Sequence, residues 1–477
     1  MNVITATFLI LTIIPATSYG WGMRGTTIGG EKGAMLPGAL IGGLLALFSD
    51  ILIVQEHFYI FSALGAVAMY FGGCMTYGET LSLSMSARPA INMKKGLLAL
   101  LIKGALWFGS FGCIFSTGVN AITGLYGIID ILIIIIATPL SALLFYKLLN
   151  HPHSVKDNVY PKIYFSKTRQ ESWGAMLGIF LSLFVFSIIR GNSFSIIFPI
   201  SCAIFGGIGW VSGQLMQVYC KHYAEDSEGF GRLFSVSRGV ESWKAMECIL
   251  GAFGGLGAAI GFILSYNSFR DTVYNLEMSS GPQPINKALS LILLILWLLL
   301  LGGDMAHYFI KKPSEESKYM KAYSMYKKSL EPVEFVLYAA LPFILICLGD
   351  GTAARITSFF LLYWVIAQEV AFENEMPRKK SLILKIPLSI IGVIALLLSI
   401  IPNNIIDYKL TFMMYTVIYE LLTLIVIIPE FMADAKKRAD GTNTKKEAIK
   451  KVLKRNPTLI VHSYFVICII STLMLVK

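Results

Sequence analysis

Long apolar runs dominate this chain, and they constrain its fold more than any other feature. They lie near 3–19, 34–54, 58–76, 96–117, 124–146, 174–189, 194–219, 245–265, 286–310, 334–348, 351–370, 381–401, 410–430 and 458–476. Most reach the roughly 20 residues that carry a helix across a hydrocarbon core. With 55% hydrophobic residues, only 14% charged and a mean hydropathy of +0.67, the chain holds more apolar surface than a soluble core absorbs. The expected fold is all-α: a polytopic integral membrane protein with about 14 transmembrane helices. The run at 334–348 is short, and across Gly349-Asp350-Gly351 it can form a broken or re-entrant pair with its successor.

Orientation follows from lysine and arginine. Assigning alternate connections to the cytoplasm puts 32 of the 40 basic residues in 20–33, 84–95, 147–173, 220–244, 311–333, 371–380 and 431–457. The opposite loops hold Arg190, Arg270, Lys287 and Lys409, with Lys477 beyond them. This bias makes the first set cytoplasmic and places both termini outside a multi-pass cell (inner) membrane protein. The net charge of +11 then faces anionic lipid headgroups, and nucleic acid is not an expected partner. Residues 1–19 lack a basic leading segment, and cleavage after Ala16-Thr-Ser-Tyr-Gly would reverse the bias of every later loop. They are a retained first helix in this reading. The seven cysteines form no C-x-x-C pair and lie in or beside apolar spans, which indicates neither a disulfide framework nor a zinc site.

Within this pattern one phrase recurs just before apolar runs. It reads Arg169-Gln-Glu171-Ser-Trp-Gly-Ala175-Met176, then Arg238-Gly-Val-Glu241-Ser-Trp-Lys-Ala245-Met246, and more loosely Arg24-Gly-Thr-Thr-Ile-Gly-Gly-Glu31-Lys-Gly-Ala34-Met35. With only 7 Trp and 19 Met in the chain, the recurrence indicates an internal duplication. Three parallel helix-pair repeats are expected near 24–83, 169–217 and 238–308, within a bundle spanning 1–310. A cytoplasmic loop at 311–333 and a C-terminal bundle at 334–477, with its own cytoplasmic loop at 431–457, complete the expected organisation. Glycines four apart, such as Gly38 and Gly42, Gly174 and Gly178, and Gly251 and Gly255, suit close helix packing in lipid.

The phrase has two readings. In one, Ser172 and Ser242 cap helices, Glu171 and Glu241 favour the positive helix ends, and Trp173 and Trp243 sit in an interfacial belt. In the other, three like-oriented helix starts bring Arg24, Glu31, Arg169, Glu171, Arg238, Glu241 and Glu247 to one cytoplasmic site for an anionic group. The Gly-rich first copy is no P-loop: Glu31 stands where Lys is needed, Lys32 where Ser or Thr is, and no strand precedes it. Its bare backbone suits a cavity-lining stretch.

Ionisable residues at membrane depth are costly and are therefore functional candidates. Glu420, central in its run, leads these; Asp304 and Arg355 join it as candidate coupling groups, and Lys103 with Asp130 is a candidate ion pair of sequence-adjacent helices. His151-Pro-His153 lacks a third ligand, so neither a metal nor a cofactor is expected. The resulting expectation is a membrane transporter of a polar, anionic small solute, with proton coupling through the buried carboxylates. The alternative is a membrane-embedded transferase acting on a lipid-linked, acyl- or phosphate-bearing donor. Against the transferase, the large loops are Lys-rich and poor in clustered acids or histidines.

Overall fold

A helix satisfies every backbone N–H and C=O within its own segment, which lipid-length apolar runs require. The computed structural model describes residues 1–24, 30–73, 78–85, 90–165, 171–222, 242–274, 284–307, 313–349, 353–354, 356–357, 361 and 461–467. It is 86% helical and contains no strand among the described residues. The helices are α1 Val3–Arg24, α2 Gly30–Leu47, α3 Leu52–Glu56, α4 Phe58–Gly73, α5 Gly78–Met85, α6 Ala90–Ile122 and α7 Ile128–Asn150. They continue as α8 Trp173–Arg190, α9 Phe194–His222, α10 Ser242–Leu264, α11 Tyr266–Tyr274, α12 Pro284–His307, α13 Met320–Phe335 and α14 Leu341–Cys347. A π-helical turn, Val336–Ala340, joins α13 to α14.

Eight of the described helical segments are long and apolar enough to cross a membrane: α1, α6 to α10, α12, and the α13–α14 rod over Met320–Cys347. The rod begins well ahead of the apolar run expected at 334–348. The runs at 351–370, 381–401, 410–430 and 458–476 lie outside the described residues apart from 353–354, 356–357, 361 and 461–467.

Small residues set the packing. A Cβ on Gly38 would collide with the Gly65 carbonyl, and one on Gly42 with the Phe61 carbonyl, so α2 and α4 touch backbone to backbone. In the same way α10 packs on α1 through Gly251 and Gly255, and α8 on α7 through Gly174 and Gly178. Within the three expected repeats the helix pairs pack differently: α2 lies against α4, α8 chiefly against α7, and α9 against α6 and α10.

The helix α6 runs through the middle, touching α4, α5, α8 and α9. Polar side chains collect at both ends of the surrounding bundle. At one end Asn120 Nδ2 donates to Ser195 Oγ at 2.7 Å, Asn192 Nδ2 donates to Asn120 Oδ1 at 3.3 Å, and Tyr266 Oη donates to the Ser49 carbonyl at 2.7 Å. Asp130 belongs to this end, where it pairs with Arg190 and accepts from the Gly127 N–H at 3.0 Å. The expected Lys103–Asp130 pair is therefore corrected: Lys103 sits in the opposite layer, about 26 Å away along the α6 axis from Asn120 at 1.5 Å per residue. Sequence-adjacent helices did not dictate the pairing, because α7 rests on α8.

Candidate functional site

The second polar layer gathers the ends of α1 and α10, α5, the C-terminal half of α9 and the middle of α6. Arg24 closes α1, in the last turn where the helix dipole favours a cation. Its guanidinium carbon lies 5.2 Å from the Trp21 ring centre and 5.5 Å from that of Trp107. Its Nε donates to the Gly30 carbonyl at 3.2 Å, and Nη1 stands 3.8 Å from Glu247 Oε1. Lys244, from the first turn of α10, donates to the Gly22 carbonyl at 3.0 Å. Arg24, Lys244 and Glu247 are all buried. The first and third copies of the phrase thus meet in one cluster.

Beneath the cluster lies an aromatic floor. Trp21 is 5.2 Å from Trp107 and 6.4 Å from Trp210, and Trp107 is 5.7 Å from Trp210, measured between ring centres. Gly72 makes room for it, since the Trp107 indole occupies the place that any Cβ there would take. Trp107 Nε1 donates to the Met69 carbonyl at 3.1 Å. On α9, Trp210, Gln214 and Gln217 follow at spacings of four and three and so share one face. Gln214 Nε2 donates to the Leu81 carbonyl at 3.4 Å. Gln214 Oε1, both amide atoms of Gln217 and Trp21 Nε1 are buried with no hydrogen-bond partner among the described residues.

One helical turn from Trp107 on α6, Lys103 is buried in a second group. Its ammonium donates to Glu171 Oε1 at 2.7 Å and to Thr80 Oγ1 at 2.8 Å, and lies 5.6 Å from the Phe165 ring centre. Glu171 Oε2 accepts the Phe165 N–H at 2.7 Å. Each side chain of this pair is only 1% exposed. The expected capping by the phrase does not occur here: the Ser172 hydroxyl makes no capping bond, and Trp173 packs inward, 5.9 Å from Phe165. Glu171 instead ties the segment ahead of α8 to α6. Trp243, by contrast, is substantially exposed.

A third group joins α2 to the α13–α14 rod. Asp304 is buried and accepts from the Tyr338 hydroxyl at 2.7 Å. Lys32 lies 5.3 Å from the Tyr338 ring centre and 3.2 Å from Glu334. Tyr338 is in the π-helical turn, whose Leu337 carbonyl accepts from Trp297 Nε1 at 2.9 Å.

Of the residues singled out from sequence, Arg24 and Glu247 come together, Glu171 stands in the neighbouring group, and Glu31 is half-buried at the start of α2 against Gly73. Asp304 lies in the third group, while Arg169, Arg238, Glu241, Arg355 and Glu420 are outside the described residues. Gln217 and the three tryptophans were not foreseen as site residues. Polar amides recurring within the apolar run 194–219 were the available signal.

No family model, curated protein or solved structure matches this chain.

Proposed function

We propose that the protein is a membrane transporter of a polar, anionic small solute, which binds over the tryptophan floor beside Arg24, Lys244 and Glu247. The observation that supports this most is the burial of those three ionisable side chains in one cluster drawn from two copies of the phrase. Charges buried among apolar helices are costly, and a solute-binding role accounts for their retention. The Arg24 guanidinium is held against two indole faces beside Glu247, and a solute carboxylate or phosphate would compete with that carboxylate for it. In this proposal the repeat-bearing bundle, 1–310, supplies the site and the bundle at 334–477 moves against it. The Lys- and Arg-rich loops face the cytoplasm, and both termini are external.

Coupling to protons is assigned to Asp304 with its Tyr338 partner, and the other candidate coupling groups, Glu420 and Arg355, lie outside the described residues. Glu171 has a structural role, since Lys103 and the Phe165 N–H already engage both its oxygens.

The test is uptake of lactate, gluconate and citrate by proteoliposomes containing wild type, Arg24→Ala or Arg24→Lys at matched thermal stability. Both variants are expected to lose most uptake, because Lys cannot reproduce the bidentate fork. Full uptake by Arg24→Lys would refute the assignment of Arg24.

A further inference from the structure

Four buried polar atoms, one on the tryptophan floor and three on the α9 face that carries Trp210, specify more than charge. An amide carries an oxygen that only accepts and a nitrogen that only donates. Gln214 uses its nitrogen on the Leu81 carbonyl, so its buried Oε1 calls for a donor. Gln217 is 1% exposed and calls for both a donor, at Oε1, and an acceptor, at Nε2. Trp21 Nε1, also buried, calls for an acceptor. The two glutamines share the face of α9 that carries Trp210, and Trp210 packs on Trp21 one turn before Arg24.

A bare carboxylate or phosphate oxygen only accepts, which suits Arg24, Trp21 and Gln217 Nε2 but leaves Gln214 Oε1 and Gln217 Oε1 unmet. A hydroxyl both donates and accepts. We infer that the ligand of this site is a hydroxylated anion of the sugar-acid or sugar-phosphate kind, its charged end at Arg24 and its hydroxyls on Gln214 and Gln217. This rests on the anion-binding reading of the same cluster and adds the chemical class. Buried polar groups left unpaired penalise an analogue that lacks the matching hydroxyl, so the glutamine face acts as a specificity element.

The experiment uses the full-length protein in detergent, with quenching of tryptophan fluorescence read during titration with gluconate, hexanoate and sorbitol. Gluconate is expected to bind saturably and at least about tenfold more tightly than hexanoate, which has the charge and chain length without the hydroxyls. Gln217→Met is expected to bring gluconate down to the affinity of hexanoate while leaving hexanoate unchanged. The wild-type comparison decides the matter even if that variant does not fold. Equal binding of hexanoate and gluconate would overturn the hydroxyl inference and leave the anion reading intact. Equal binding of sorbitol and gluconate, insensitive to Arg24→Lys, would overturn the anion reading and keep the hydroxyl contacts. No saturable binding by any of the three would overturn the inference, with ordered water as the partner of these amides.

Discussion

Replacing Lys103 by Met removes one member of an ion pair whose two side chains are each 1% exposed. Glu171 would then keep the Phe165 N–H but lose its cation, and an uncompensated buried charge costs about 3–5 kcal/mol. Glu171→Met should cost a similar amount, because the buried Lys103 ammonium would lose the carboxylate it donates to at 2.7 Å. The double variant removes both charges at similar volume. What remains to be lost is the acceptor for the Phe165 N–H, about 1–2 kcal/mol. The coupling energy from the cycle is then at least about 3 kcal/mol. Unfolding in mixed micelles, followed by helical circular dichroism, measures each corner of the cycle. Additivity within about 0.5 kcal/mol would refute the pairing, and with it the structural role given to Glu171.

Two further outcomes follow from the packing and the charge distribution. Gly72→Ala should cost about 1–3 kcal/mol by pushing on the Trp107 indole, and Trp107→Phe should recover part of that loss; an unchanged unfolding midpoint would contradict the close contact. Reporters fused after Lys95 and Lys167 should read as cytoplasmic and one at the C-terminus as external, given the 32 basic residues in one set of loops; a cytoplasmic C-terminus would mean the helix count is wrong by one.

The helical membrane class was legible because lipid gives the backbone no other partner, so each crossing must appear as an uninterrupted apolar run. Arg24 and Glu247 were legible as rare ionisable residues near membrane-length segments, since such residues are conspicuous against an apolar background. Their meeting was not, because it depends on α10 lying against α1, a contact between segments more than 200 residues apart. Lys103 shows the same limit. Its charge predicted a partner, but sequence proximity pointed to Asp130, whereas the fold brings in Glu171 from the segment ahead of α8. The tryptophan floor was hidden for another reason. Trp107 and Trp210 each read as one more apolar residue in its own run, Trp21 read as part of the first connection, and only Gly72, against Trp107, and Gly104, against Trp210, mark where large rings are received.

The helix α6 spans 33 residues, about 50 Å, and carries Lys103 and Trp107 in one polar layer and Asn120 in the other. The roughly 26 Å between Lys103 and Asn120 is close to the hydrocarbon thickness of a bilayer, about 30 Å. Both layers are therefore pinned to a single rod of fixed length. In mechanical terms α6 is a spacer: whatever the helices around it do, the distance between the two layers along this rod stays set by the 17 residues from Lys103 to Asn120.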